Sequence, residues 1–551
     1  MINRNALKTR VLSSLEKVFA DEELRAPEWK SGTMLNNETY SFQVAYHWDN
    51  YMLKNVKVEV RSELAPHITI YSVGLVPSDM PCYWDHDDNV LRTTPGLYPD
   101  PLMKTSCEGI TLLPKQWRSL WVKISPEGQA KAGIYPIEIV FCSKEGEELG
   151  EAVFSLELFE TALPPQSLIH TSWFHTDCIA TYYSLEVFSE EHWERIGQFL
   201  ETAVKYGINM ILTPLFTPPL DTEVGGERPT VQLVGVEKVN DQYHFNFDKL
   251  ERWVSLCLEK GVQYFELSHL FTQWGAKHAP KIMATENGEY KRIFGWDTDA
   301  AGPAYRNFLE QFLPELLKFI EAKGLEERVY FHVSDEPHMS DLESYRAASG
   351  IIRELVQGYP IIDALSNYEF YEAGLVPNPI PSNDHIEDFL ENGVEKLWTY
   401  YCCAQYKKVA NRFFNMPSAR SRILGMQLYK FDIHGFLQWG YNFWYSQHSK
   451  YPIDPFKVTD AAQAFPSGDP FSVYPGADSP IVSLRLQVFY EALQDLRALK
   501  LLESHIGREK VIELLEEDLD KPITFSEYPT DAEWLLRKRE KINRIIQEYN
   551  N

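Results

Sequence analysis

Two acids stand side by side, Asp335 and Glu336, in the run His332-Val333-Ser334-Asp335-Glu336-Pro337-His338. Like charges forced together raise the pKa of one member of the pair, which then keeps a proton near neutral pH. An acid beside an anion is the combination that cleavage of a glycosidic bond needs. Asp-Glu-Pro is also ordinary turn chemistry, so position must decide between the two readings. The pair closes an apolar stretch, RVYFHVSDE (328–336). In a (β/α)8 barrel, function gathers where such stretches end.

The elements that would position the pair can be read outward from it. Apolar strands alternate with amphipathic helices from about residue 168, as in a parallel α/β architecture. Eight strand candidates are SLIHTSWF (167–174), INMILTPLF (208–216), VQYFELSH (262–269), RVYFHVSDE (328–336), PIIDALSN (360–367), PNPIPSND (377–384), EKLWTYYCC (395–403) and HGFLQWGYNF (434–443). Between them, Trp193, Ile196, Leu200, Ala203 and Val204 share one helical face, and Phe308, Phe312, Leu316 and Ile320 share another on a helix from about Tyr305 to Ala322. Eight strands with crossovers over about 280 residues fit the usual size of a (β/α)8 barrel.

Residues before this region read as β. Short alternating runs such as YSFQVAYHW (40–48), YPIEIVFC (135–142) and AVFSLELFE (152–160) are separated by polar turns, which implies a sandwich. The N-terminal stretch, with Leu7, Val11, Leu15 and Val18 on one face, predicts an amphipathic helix. Beyond about 450, a Pro- and Gly-containing stretch leads into helices at about 482–505, 508–517 and 530–548. The expected organisation is a multidomain α/β and β chain. It has an N-terminal β-sandwich over 1–165, a central (β/α)8 barrel over 166–455 and a C-terminal helical segment over 456–551 packed on the barrel.

The other strand ends supply the rest of the expected site. The first ends near His175, the third at His269 with Trp274 beyond it, the fifth at Asn367, and the eighth at Trp439, Asn442 and Trp444; His338 follows the acids themselves. These side chains are candidates for a sugar subsite, against the alternative that each aromatic is core and each lone His a hydrogen-bonded structural residue. A retaining glycosidase of the common kind places a second carboxylate roughly 5 Å from the first. The seventh strand ends Thr399-Tyr400-Tyr401-Cys402-Cys403, with no acid. Either the nucleophile comes from elsewhere, Asp384 or Glu369 being distant candidates, or the substrate supplies it. A 2-acetamido group does so when its carbonyl oxygen attacks the anomeric carbon. One geometric condition applies. On a regular strand Asp335 and Glu336 point to opposite faces, with Val329, Phe331 and Val333 on the helix side, so both reach one site only if the strand ends or bulges at about Ser334.

Composition narrows the classes further. The chain has 551 residues and a formal net charge of -26, which disfavours a nucleic-acid partner. Aromatics make up 13%, including 14 Trp, which favours a carbohydrate ligand whose C–H faces stack on rings. No apolar run reaches the roughly 20 residues that span a bilayer, and no apolar secretory region follows the N-terminus, so a cytoplasmic location without membrane contact is expected. Seven Cys without a CxxC spacing read as free thiols, with Cys402 and Cys403 as packing residues. No metal motif, nucleotide loop or nucleophile elbow is present, so neither metal nor cofactor is expected.

HVSDEPH, LWTYYCC, Asn411-Arg412-Phe413 and GFLQWGYNFW resemble the blocks of the domain of unknown function numbered 4091, which is similar to glycoside hydrolase family 123, the β-N-acetylgalactosaminidases. GLYPDPL (96–102) and FGWDTDAAGPAYRNFL (294–309) belong to the same resemblance, which covers nearly the whole chain. It implies a β-sandwich before a catalytic (β/α)8 barrel, retention of configuration, and no metal. It implies that Asp335 assists the substrate acetamido group and Glu336 is the acid/base. It also implies a Tyr or other donor that holds the acetamido carbonyl oxygen, with Tyr401 as the match. The resulting expectation is an exo-β-N-acetylhexosaminidase acting on a glycan with a terminal amino sugar. The alternatives are a hydrolase of a glycoside without the acetamido group and a non-catalytic carbohydrate-binding protein.

Overall fold

The structure is a computed structural model that describes residues 6–550. Alternation of apolar and polar residues builds two five-stranded sheets at the N-terminal end. One runs Leu7–Ser13, Tyr40–Trp48, Trp117–Ile124, Ile68–Ser78, Gly96–Lys104 in spatial order. The other runs Ser31–Met34, Glu148–Leu158, Gly133–Cys142, Leu53–Arg61, Ile110–Leu112. Phe42, Val44, Leu120 and Val122 of the first sheet meet Ile137, Ile139, Phe154 and Leu156 of the second in one buried cluster. Phe42 and Phe154 stack across it with ring centroids 4.2 Å apart.

The predicted N-terminal helix is a strand. Leu7–Ser13 pairs antiparallel with Tyr40–Trp48, from Leu7 opposite Trp48 to Ser13 opposite Phe42. Leu7, Val11 and Leu15 are separated by four, which suits one face of a helix and equally the alternate positions of a strand. Pairing with a preformed neighbour decides between them. Leu15 and Val18 are buried in the irregular chain that follows. Residues 1–5 of that predicted helix lie outside the described residues.

All eight predicted barrel strands are present, as Ile169–Ser172, Met210–Thr213, Tyr264–Leu267, Val329–Tyr330, Ile362–Ala364, Asn378–Ile380, Trp398–Tyr400 and Gly435–Gln438. They run parallel, and the eighth pairs with the first, Ile169 opposite Gly435. Two joints are thin. Phe331 bridges Ile361, and Ser382 bridges Tyr400, so the fifth and sixth strands close the ring through single bridges. Met210, Leu212, Ile362, Ile380, Trp398 and Leu437 fill the barrel interior. Helices such as Glu190–Lys205, Asp248–Glu259, Pro303–Ala322 and Leu342–Leu355 cover it outside. A four-stranded sheet from Gly235–Val239, Gln242–Asn246, Ile282–Glu286 and Glu289–Phe294 is inserted around the third strand. Its residues are largely half-buried or exposed, so no apolar run announced it.

The C-terminal helices Leu484–Ile506, Arg508–Glu516 and Ala532–Asn550 join sandwich and barrel. Buried Arg539 pairs with Glu38 of the sandwich, and its Nε lies 3.0 Å from Asp495. Asp100, in GLYPDPL, pairs with Arg485 at 2.7 Å and accepts a hydrogen bond from Tyr474. Among the described residues, no helix is long and apolar enough to cross a membrane.

Candidate active site

The fourth barrel strand meets the geometric condition set by its sequence. Regular pairing stops after the Phe331 bridge. The Asp363 carboxylate then takes the backbone N–H of Val333 at 3.0 Å and of Ser334 at 3.4 Å, in place of a neighbouring strand. Asp335 accepts the Trp274 amide on its carbonyl, and Glu336, at φ +42°, donates its own amide to Ala364. The chain thus leaves the strand before alternation can separate the two acids. Both side chains line one cavity at the C-terminal mouth of the barrel.

Trp173, Leu220, Ala364, Leu437, Trp439 and Phe465 give that cavity mostly apolar walls. Tyr400, ending the seventh strand, donates its hydroxyl to Glu336 Oε1 at 2.6 Å. Cys402 and Cys403 continue the same wall. Both are free thiols, and Cys402 also packs as expected, against the barrel interior, with its thiol 3.2 Å from Gln405 Oε1. No carboxylate comes from the seventh strand, as its sequence implied. Burial raises the Asp335 carboxyl well above the usual carboxylate range; Glu336 beside it adds to the rise, and His332 opposes it. This is the arrangement that lets one of two adjacent acids hold a proton at neutral pH.

Beneath the acids lies a buried polar network that sequence reading did not foresee. Glu266 of the third strand accepts from Thr171 Oγ1 and from Trp173 Nε1 at 2.8 Å. His332 sits between two carboxylates, with Nε2 2.6 Å from Glu266 and Nδ1 3.0 Å from Asp363. Tyr345 also donates to Asp363. Burial alone would lower the His332 pKa, but the bonds to Asp363 and Glu266 outweigh it and push it up to about 9. The ring is therefore cationic at neutral pH. The available signal was an acid in mid-strand: Glu266 in VQYFELSH and Asp363 in PIIDALSN interrupt apolar runs.

The remaining expected residues divide by burial and alternation. Trp274 and Trp439 line the cavity with the acids. Tyr401 does not. It is fully buried against Phe436, with ring centroids 5.0 Å apart, because alternation turns Tyr400 inward and its neighbour toward the helices. Trp444 is likewise buried on the helix side, 5.6 Å from Phe199. Asn442 is spent on the His175 backbone, accepting its N–H at 2.8 Å and donating to its carbonyl at 3.1 Å. His175 stands behind the wall, with Nε2 2.9 Å from the Trp439 carbonyl and Nδ1 3.1 Å from Arg228. Burial, then Arg228, pulls its pKa down to about 3, so the ring is neutral and structural. His269 is buried and stacks on His332 with centroids 4.1 Å apart. His338 is exposed, and its amide donates to Asp341 at 3.3 Å. Asn367 is half-buried, outside the cavity lining, and its carbonyl accepts the Phe370 amide at 3.3 Å. The distant acids Asp384 and Glu369 are also outside the lining: Asp384 accepts from Ser382 and Gln405, and Glu369 is exposed. Tyr400, Asp221, Gln447 and His448 line the cavity without having been expected there.

The sequence blocks around the site have structural work. Asn411 donates to the carbonyls of Cys402 at 2.9 Å and Gln405 at 2.7 Å, shaping the loop after the seventh strand. Arg412 donates to Gly440 at 2.6 Å and so ties that loop to the eighth strand. A Cβ on Gly440 would lie 2.2 Å from the Pro470 carbonyl, so only glycine fits there.

No curated protein matches the sequence. Among solved structures, a family 123 glycoside hydrolase from Clostridium perfringens, described for glycolipid glycan hydrolysis, superposes with a TM-score of 0.76 at 17% identity, covering 98% of this chain and 99% of that one. A family 2 glycosyl hydrolase from Bacteroides cellulosilyticus (TM-score 0.28, 9% identity, 82% and 48% covered) and an endo-β-1,4-mannanase from Thermotoga petrophila (0.35, 12%, 61% and 77%) are far looser likenesses. The family model for the glycoside hydrolase 123 catalytic domain matches residues 173–502. The chain belongs to glycoside hydrolase family 123.

Proposed function

We propose that this glycoside hydrolase is a retaining exo-β-N-acetylhexosaminidase, acting on a galactosamine-configured terminal sugar with the substrate acetamido group as nucleophile. One observation carries the reading. Two adjacent carboxylates share a single cavity, and the seventh-strand wall, where the usual nucleophile would stand, offers Tyr400, Cys402 and Cys403 instead. The distant acids Asp384 and Glu369 do not line that cavity; a third carboxylate, Asp221, does, in the loop after the second strand and not on the seventh-strand wall.

In this reading the reaction runs in two steps. The acetamido carbonyl oxygen forms a bond to the anomeric carbon as the bond to the leaving oxygen breaks. Glu336 gives its proton to that leaving oxygen. Asp335 accepts the acetamido N–H, which acquires positive character as the ring closes. The donation favours the ionised form of Asp335. Water then attacks the anomeric carbon, Glu336 takes the proton back, and the acetamido group is restored with configuration retained. In this reading Tyr400, rather than Tyr401, holds the acetamido oxygen: it lines the cavity, and its single O–H turns from Glu336 Oε1 to that oxygen when substrate binds. The test is release of nitrophenol from a panel of aryl glycosides. Fast turnover is expected on N-acetyl-β-galactosaminide. No turnover there, with turnover on glycosides lacking the acetamido group, overturns the reading.

A further inference from the structure

The proposed chemistry uses Asp335, Glu336 and Tyr400 and leaves a second polar group in the same apolar cavity unexplained. Asp221 follows the second barrel strand, and Gln447 and His448 follow the eighth. In a closed ring of eight, the eighth strand lies opposite the fourth, which carries the acids. Gln447 and His448 therefore face the acids across the mouth of the barrel.

This wall is built, not incidental. The His448 amide donates to Asp221 Oδ2 at 3.0 Å, and Ser449 Oγ donates to the Asp221 carbonyl at 2.6 Å. Gln273 accepts the Asp221 amide at 2.7 Å, and Arg228 holds the Leu220 carbonyl at 3.0 Å. Asp221 and His448 take left-handed backbone angles, φ +38° and +59°, as do Trp274 at +57° and Glu336 at +42° in the same lining. Non-glycine residues in that region persist only where their surroundings fix them, and they gather at functional sites. Asp221 Oδ1 makes no protein hydrogen bond among the described residues, while Oδ2 is held by His448. Burial pushes this carboxyl up, and the His448 amide partly offsets it.

We propose that Asp221, with Gln447 and His448 beside it, reads the hydroxyl groups of the bound sugar ring on the side away from the scissile bond. This rests on the glycosidase reading above and names the residues that select the sugar. A carboxylate oxygen takes a sugar O–H as a short, charge-assisted hydrogen bond. In an apolar cavity, a sugar lacking that hydroxyl leaves the acceptor unpaired, and sites built this way discriminate strongly.

The test compares an aryl glycoside that the parent enzyme cleaves with its 4-deoxy and 6-deoxy counterparts, in the parent, Asp221→Ala, Asp221→Asn and Gln447→Ala. Whichever aryl glycoside the parent cleaves fastest is used, so failure on N-acetylhexosaminides counts against the acetamido mechanism and not against this wall. The parent should lose roughly 100-fold or more in kcat/KM on at least one deoxy sugar. Asp221→Ala should cleave the intact sugar poorly and show less than a few-fold further loss on that deoxy sugar. If Asp221→Ala fails to fold, Asp221→Asn, which keeps an acceptor for the His448 amide, and Gln447→Ala carry the same comparison. An undiminished deoxy penalty in the folded variants overturns the proposal. So does a glycosyl ester trapped on Asp221, which would make it a nucleophile.

Discussion

Asp363 Oδ1 lies 3.0 Å from both the Val333 backbone nitrogen and His332 Nδ1, so one buried carboxylate ends the fourth strand and holds the cation beneath it. Asp363→Ala removes both at once and leaves the His332 cation with Glu266 alone. Stripping one partner from a buried charged group costs roughly 3–5 kcal/mol. Urea unfolding should register a loss of that size. Any folded fraction should show lowered kcat, since Asp335 and Glu336 lose the turn that brings them together. Asp363→Asn, which keeps one acceptor, should fall between. Full stability in Asp363→Ala would contradict the role given to this network.

The same network sets a pH dependence. His332 has a folded pKa of about 9, above its ordinary value of 6.5. Its contribution is therefore complete below about 6.5 and is lost as pH rises through about 9, amounting to on the order of 3 kcal/mol. Stability measured by urea unfolding should decline across that window in the parent. In His332→Gln the decline should be absent from a lower starting point. An identical decline in both would place its source elsewhere.

Trp439 and Trp444 are both tryptophans of the eighth-strand end, yet they should behave differently. Trp439 lines the cavity, and its Nε1 donates to Asp469 at 2.9 Å. Trp439→Ala should raise KM or lower kcat with the fold intact. Trp444 is buried against Phe199 and Tyr182, so Trp444→Ala should cost roughly 3–5 kcal/mol. Thermal melting beside kinetics separates the two, and a reversal of the pattern would contradict the placement of the cavity.

Glu336→Gln should lower the rate by roughly 10²–10⁴-fold, because a general acid is lost. Leaving groups that depart without protonation should suffer less than poor ones. An equal loss of only a few-fold across good and poor leaving groups would remove Glu336 from that role.

These contrasts show what the sequence carried. Short apolar runs alternating with amphipathic helices located every barrel strand, even Asn378–Ile380 in a Pro-rich stretch, because parallel strands buried on both faces read as near-continuous apolar segments. The acid pair was legible because Asp335-Glu336 closes such a run. Facing was not. Tyr400 and Tyr401 differ by one position, and only register with the neighbouring strands decides which enters the cavity. Leu7–Ser13 failed as a helix for a related reason, since a spacing of four suits both periods until a partner strand is known. Asp221 and His448 were invisible because they lie in loops after strand ends, where left-handed backbone and contacts distant in sequence position the side chains. Glu266 and Asp363 were visible as residues but not as a network, because their partner His332 comes from a strand between them.

In the proposed mechanism the substrate, not the protein, supplies the nucleophile. This is tested most directly by comparing kcat/KM on a matched pair of aryl β-galactosides that differ only in carrying a 2-acetamido or a 2-hydroxy group. The 2-acetamido glycoside should be cleaved and the 2-hydroxy glycoside only very poorly, with Asp335→Asn lowering kcat on the former because its contact strengthens as charge develops. Comparable cleavage of both, or a glycosyl ester trapped on a protein carboxylate, would contradict it.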